Sequence, residues 1–197
     1  MKVLIAWWMM MAASMPLVAT AEDPAAPTPA ASPQTSLYAL DASWTRQTGE
    51  KLDWKKSSGT PRVLALGYAS CKGVCPRIIA DMQRIEQKLT ADELAGCRFT
   101  FVTLDPAHDT VAEMKKLGER HKVDDTRWDL LTGEEDSVLE LAVALGIRYD
   151  RLPNGIDFAH SYLIAVIGPD GVIRHKWLDP GEGPDPSVAA LREHGGK

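Results

Sequence analysis

The chain has 197 residues and a formal net charge of −5, with 22 Lys and Arg against 27 Asp and Glu, and it holds three cysteines. That length suits one domain with a sizeable core. The absence of a basic block interleaved with aromatics argues against a nucleic-acid partner, and three sulfurs are too few for a four-cysteine zinc or iron site.

The first 21 residues read as a secretory signal peptide. Lys2 precedes an apolar stretch from Val3 to Ala13, and Ala19-Thr20-Ala21 forms an A-x-A cleavage site. The stretch is short of the roughly 18 to 20 residues that span a bilayer. No cysteine follows the cleavage site, which argues against a lipoprotein. The alternative is an uncleaved anchor helix running on through Met15 and Leu17. Residues 22–36, EDPAAPTPAASPQTS, are expected to be a flexible Pro/Ala-rich lead-in. The folded domain is expected over 37–197.

Short apolar patches on either side of Thr48-Gly49 predict a small hairpin. RVLALGYAS predicts a buried central strand ending near Ala69. Pro76 suits a helix's first turn, and Ile78, Ile79, Met82, Ile85 and Leu89 recur at helical spacing over about 14 residues. CRFTFVTLD is the next strand. DTVAEMKKLGERHK is a helix that Asp109 or Thr110 can cap. TRWDLLTG is a strand, and EEDSVLELAVALGI a helix closed by Gly146. HSYLIAVIG and VIRHKW form a hairpin about the GPDG turn, and DPSVAALREH is a terminal helix. Strands alternating with helices argue an α/β sandwich around a parallel-rich sheet.

The chemistry concentrates in GYASCKGVCPRII. Cys71 and Cys75 sit between a strand's C-terminal edge and a helix N-terminus, with Cys75 expected at the N-cap. Orphan N–H groups, the helix dipole and Lys72 favour thiolates there. A disulfide across three residues constrains little unfolded-state entropy, so a structural staple makes poor sense. A redox couple or a metal site remains. Two thiolates form a soft donor set for Cu(I), zinc or iron–sulfur, and a third ligand would be needed. His160, opening the strand HSYLIAVIG, either supplies it or only hydrogen-bonds at a strand end. His121, His175 and His194 are expected at the surface. Cys97 is expected half-buried and inert at the start of a strand. Asp105 and Asp109 form a turn and a helix cap or tune a nearby site, and His108 between them is an outer-site candidate.

GYASCKGVCPRII, FVTLDPAHDT and HSYLIAVIGPDG, in that order, resemble the Sco/SenC copper-binding assembly proteins. The resemblance runs from about Leu37 to the terminal helix. It implies a thioredoxin-like three-layer sandwich with an N-terminal hairpin extension, and a copper site of Cys71, Cys75 and His160 that takes Cu(I) or Cu(II). It further implies a metallochaperone serving the Cu(A) subunit of cytochrome c oxidase, or another periplasmic copper or thiol protein. The alternative function is a thiol-disulfide oxidoreductase with Cys71 and Cys75 as its catalytic pair. From another class comes an interaction module in which the sulfurs are incidental. With the leader, the expectation is a soluble periplasmic monomer. Val111 follows Thr110 where the family often has proline. Only Met82 and Met114 lie outside the leader, so no methionine-rich loop adds a second copper site.

Overall fold

The computed structural model describes residues 36–153 and 157–195, the His160 side chain excepted. The expected signal peptide over 1–21, and nearly all of the lead-in over 22–36, lie outside the described residues. Among the described residues, no helix is long and apolar enough to cross a membrane.

The elements are β1 (Ser43–Arg46), β2 (Lys51–Asp53), β3 (Arg62–Gly67), α1 (Cys75–Glu86), α2 (Ala91–Ala95), β4 (Arg98–Thr103), α3 (Val111–His121), β5 (Trp128–Gly133), α4 (Glu135–Leu145), β6 (Tyr149–Arg151), β7 (Phe158–His160), β8 (Ile164–Ile167), β9 (Ile173–Trp177) and α5 (Asp185–His194). Seven strands form one sheet in the order β2-β1-β5-β4-β3-β8-β9, and β6 pairs with β7 separately. Only β5-β4-β3 are mutually parallel. The flanking pairs β1–β2, β1–β5, β3–β8 and β8–β9 are antiparallel. The sheet is therefore mixed rather than parallel-rich, because each end is closed by a hairpin that needs no crossover helix.

The central strands are buried on both faces, with side chains alternating between two cores. Val63 and Ala65 of β3, Phe99 and Phe101 of β4, and Ile164 and Val166 of β8 pack against Ile78, Ile79, Met82 and Ile85 of α1, Leu117 of α3 and Leu191 of α5. Leu64, Leu66, Val102, Ala165 and Ile167 face the other way, onto Val138, Leu141 and Leu145 of α4 and onto Trp44 and Trp54. Helices cover both faces, which makes the thioredoxin-like three-layer sandwich with its N-terminal β1–β2 hairpin.

The central elements match the expected order, and local details differ. Helix α1 ends at Glu86 and the separate short helix α2 follows, opened by a capping box between Thr90 and Glu93. The strand expected to start at His160 is broken in two. His160 closes β7, paired with Tyr149, and β8 begins at Ile164. Thr110 caps α3, its hydroxyl accepting from the Glu113 N–H. Asp109 turns inward instead. Cys97 is buried at 4% exposure rather than half-buried, and burial pushes its thiol up to about 12, which keeps it inert. His121, His175 and His194 are half-buried rather than freely exposed.

Candidate metal centre

Strand β3 stops at Gly67 because the chain must turn away from the sheet to enter α1. A Cβ at Gly67 would lie 2.7 Å from the Cys75 Sγ and 2.6 Å from the Phe101 ring. The bare glycine therefore makes room for the sulfur. A turn follows, in which the Cys71 N–H donates to the Tyr68 carbonyl at 3.3 Å. Val74, not Cys75, is the N-cap of α1. Cys75 is the first helical residue and Pro76 the second.

Neither sulfur is joined in a disulfide, and both are buried, Cys71 at 7% and Cys75 at 1% exposure. They differ in acidity. Burial pushes the Cys71 thiol up, but hydrogen bonds from the Cys75 side chain and from the Cys75 and Gly73 N–H groups bring it below the ordinary cysteine range. Burial, reinforced by the hydrogen bond to Cys71, raises Cys75 far above that range. Easy thiolate formation, expected of both, holds for Cys71 alone.

An open cleft of about 650 Å³ lies over the cysteine loop, lined by Tyr68, Cys71, Lys72 and Val74 on one side and by Asp157, Phe158 and Ala159 on the other. The strand that closes at His160 thus forms the opposite wall. Antiparallel pairing of β8 with β3, Ile164 opposite Ala65, carries the residues just before β8 toward the end of β3. Tyr68 fastens the walls together. Its hydroxyl donates to Asp157 Oδ1 at 3.0 Å and accepts from the Phe158 N–H at 3.4 Å, and its ring lies 5.2 Å from that of Phe158. The His160 backbone stands beside this wall, and its side chain lies outside the described residues. Among the described residues, no three His, Cys, Asp or Glu side chains converge as a complete ligand set. The two sulfurs fit a soft, thiophilic ion.

Asp105 and Asp109 hold the neighbouring loop. Asp109 Oδ2 accepts from the Ala69 N–H at 2.8 Å and from the Thr103 hydroxyl, tying the end of β4 to the cysteine loop. Burial raises its carboxyl. Asp105 accepts from His108 Nδ1 at 2.9 Å and from Arg151 at 2.7 Å. The Arg151 guanidinium lies 4.4 Å from the Phe158 ring centre. His108 is 70% exposed in its side chain and held by Asp105. Gly67, Tyr68 and Arg151 position the site with no signal in spacing, because their partners are distant in sequence.

The SCO1/SenC family model matches residues 31–194. The chain is similar to the SCO1 protein homolog of Bacillus subtilis, 26% identical over 129 residues that cover 64% of this chain and 66% of the relative. It is likewise similar to a SCO2-like protein of Rickettsia typhi, 29% identical over 140 residues that cover 68% of this chain and 66% of the relative. It spans just under two thirds of the length of these curated relatives. Among solved structures, it resembles Bradyrhizobium japonicum ScoI with copper bound, at a TM-score of 0.66 and 21% identity over 78% of this chain and 96% of that one. It also resembles BsSco, a structure described with a disulfide switch, at a TM-score of 0.67 and 21% identity over 78% of this chain and 90% of that one. A family model covering this much of the sequence, on a fold shared with those structures and around a paired-cysteine cleft, shows that the chain belongs to the SCO1/SenC family.

Proposed function

We propose that this protein binds copper as cargo through Cys71, Cys75 and His160 and passes it on in an exported compartment, the periplasm, with the Cu(A) subunit of cytochrome c oxidase as the receiving partner. The observation that carries this reading is the pair of buried sulfurs, not joined in a disulfide, beside a cleft whose far wall is the strand ending at His160. Copper-bound ScoI and the copper and oxidase-assembly descriptions of relatives support it. Two thiolates suit Cu(I), and an added imidazole suits Cu(II). Cys71 supplies a thiolate readily, and Cys75 would give up its proton on ligation.

The test is Cu(I) competition against a chelator, using the dithiol and disulfide forms of the protein. The dithiol should bind tightly and the disulfide not at all. Cys71→Ser and Cys75→Ser should each damage binding of both copper states. Equal affinity of the two redox forms would sink the reading.

One observation favours a second reading, a thiol-disulfide reductase. The acidity difference between Cys71 and Cys75 resembles that of an attacking thiolate and its resolving partner. In that reaction the Cys71 thiolate attacks a partner disulfide, releasing one partner thiol and forming a mixed disulfide. Cys75 then closes the Cys71–Cys75 disulfide and frees the second thiol. The partner gains two electrons and the protein loses two. This activity should survive His160→Ala, which the copper function should not.

A further inference from the structure

Tyr162 lies two residues after His160, in the break between β7 and β8. Its hydroxyl donates to Asp81 Oδ2 at 2.9 Å. Asp81 is a carboxylate at 1% exposure on α1, six residues after Cys75. An uncompensated charge there would be costly. Arg77 Nε at 2.6 Å and Arg84 Nη1 at 2.9 Å compensate it, both from α1 itself. Tyr162 is therefore not required for neutralisation. Of these three donors, Tyr162 alone comes from another element.

The geometry gives that bond a direction of use. Two residues span about 7 Å of extended chain, and six helical residues rise about 9 Å, so the contact sits close to both sequence neighbours. On its other side, the His160 backbone is held by pairing with Tyr149. The Tyr162 ring is seated independently, edge-on to Trp177 at 6.1 Å. Leu163, the next residue, is buried in the opposite core. The segment is thus pinned from both faces of the sheet, and its polar pin goes to the helix that begins at Cys75.

We propose that the Tyr162–Asp81 hydrogen bond is a positioning clamp that keys the segment bearing His160 to the helix bearing Cys75. This rests on the reading of His160 as the third copper donor. The clamp sets how far the imidazole-bearing backbone stands from the sulfurs. It therefore governs the state that needs three ligands, Cu(II), and leaves the two-thiolate state, Cu(I), nearly untouched.

The experiment is Tyr162→Phe, which keeps the ring on Trp177 and removes only the hydroxyl, compared with His160→Ala and the double variant. Expected is a roughly 10- to 100-fold loss of Cu(II) affinity, a shift of the Cu(II) electron paramagnetic resonance toward that of His160→Ala, and Cu(I) affinity within a factor of about three of native. Adding Tyr162→Phe to His160→Ala should cost nothing more, which a general loss of stability would not reproduce. In the copper-free protein, ¹⁵N-labelled imidazole signals should change for His160 and stay put for His194. If His160→Ala weakens Cu(II) while Tyr162→Phe does not, or if the two losses add, the clamp is wrong and the third donor stands. If His160→Ala leaves Cu(II) binding intact, the third-donor reading fails and takes the clamp with it.

Discussion

Gly67 and Asp109 do as much for the cleft as the sulfurs they serve. Gly67→Ala places a methyl where the Cys75 Sγ and the Phe101 ring already are. Overpacking of this kind costs typically 1–3 kcal/mol, and the softer response is displacement of the sulfur. We expect a lowered urea midpoint and a weakened Cu(I) affinity, measured on the same preparation. A variant with native affinity would mean that Cys75 does not need this seat. Cys71 and Cys75 were legible because their spacing and the following proline are local features. Gly67 and Tyr68 lie in the same quoted stretch, yet their roles depend on Phe101, Asp157 and Phe158, contacts that no sequence window contains. His160 enters the proposed ligand set through the family resemblance, since 85 residues separate it from Cys75 and its place at a strand end leaves both a ligand and a plain hydrogen-bonding role open.

Helix α3 separates two acceptors that looked interchangeable in sequence. Thr110 makes the cap, accepting from the Glu113 N–H at 3.4 Å, and Thr110→Ala should cost about 1 kcal/mol. Asp109 bridges two loops from a buried position. Asp109→Ala leaves the Ala69 N–H without that acceptor and should cost more, about 1.5–3 kcal/mol. Amide hydrogen exchange at Ala69 should quicken in Asp109→Ala and not in Thr110→Ala. Equal exchange in the two would remove Asp109 from the cysteine loop's support. The helices α1, α3, α4 and α5 and the central strands were readable from periodicity and caps. The break between β7 and β8 was not, because HSYLIAVIG is continuously strand-like, and what divides it is a change of partner, β7 pairing with β6 and β8 with β3. Helix α2 was missed because its five residues are too few for a periodic signal.

Across the whole molecule, the cysteine cleft at the C-terminal ends of the parallel strands is balanced by an ion cluster at their N-terminal ends. Asp129 of β5, fully buried, meets Arg62 of β3 at 2.7 Å, Arg98 of β4 at 2.5 Å and Arg46 of β1 at 2.9 Å, so one carboxylate joins four strands. Burial pushes its carboxyl up, and the Arg98 and Arg62 guanidiniums more than offset this, holding it below the ordinary value of 3.8. Asp81 and Asp105 are lowered in the same way, against burial, by Arg77 and Arg84 and by Arg151 and His108. A carboxyl lowered on folding gives stability that is complete above its unfolded value and lost as pH falls through the folded one. Asp109 has the opposite sign: burial raises its carboxyl, so it favours the folded state as pH falls through the folded value. The stability of the protein should therefore hold or rise slightly as pH falls toward about 4 and drop steeply below it. Asp129→Asn leaves three arginines facing no charge and should cost about 3–5 kcal/mol at pH 7. It should also flatten the acid limb, so that the urea midpoints of variant and native protein converge at the lowest pH. Arg98→Met, which removes one donor and lets the Asp129 carboxyl rise, should move the acid limb to higher pH even if Asp129→Asn does not fold. Midpoint curves for Arg98→Met that run parallel to native from pH 7 to pH 2 would show that the acid limit is set elsewhere than at this cluster.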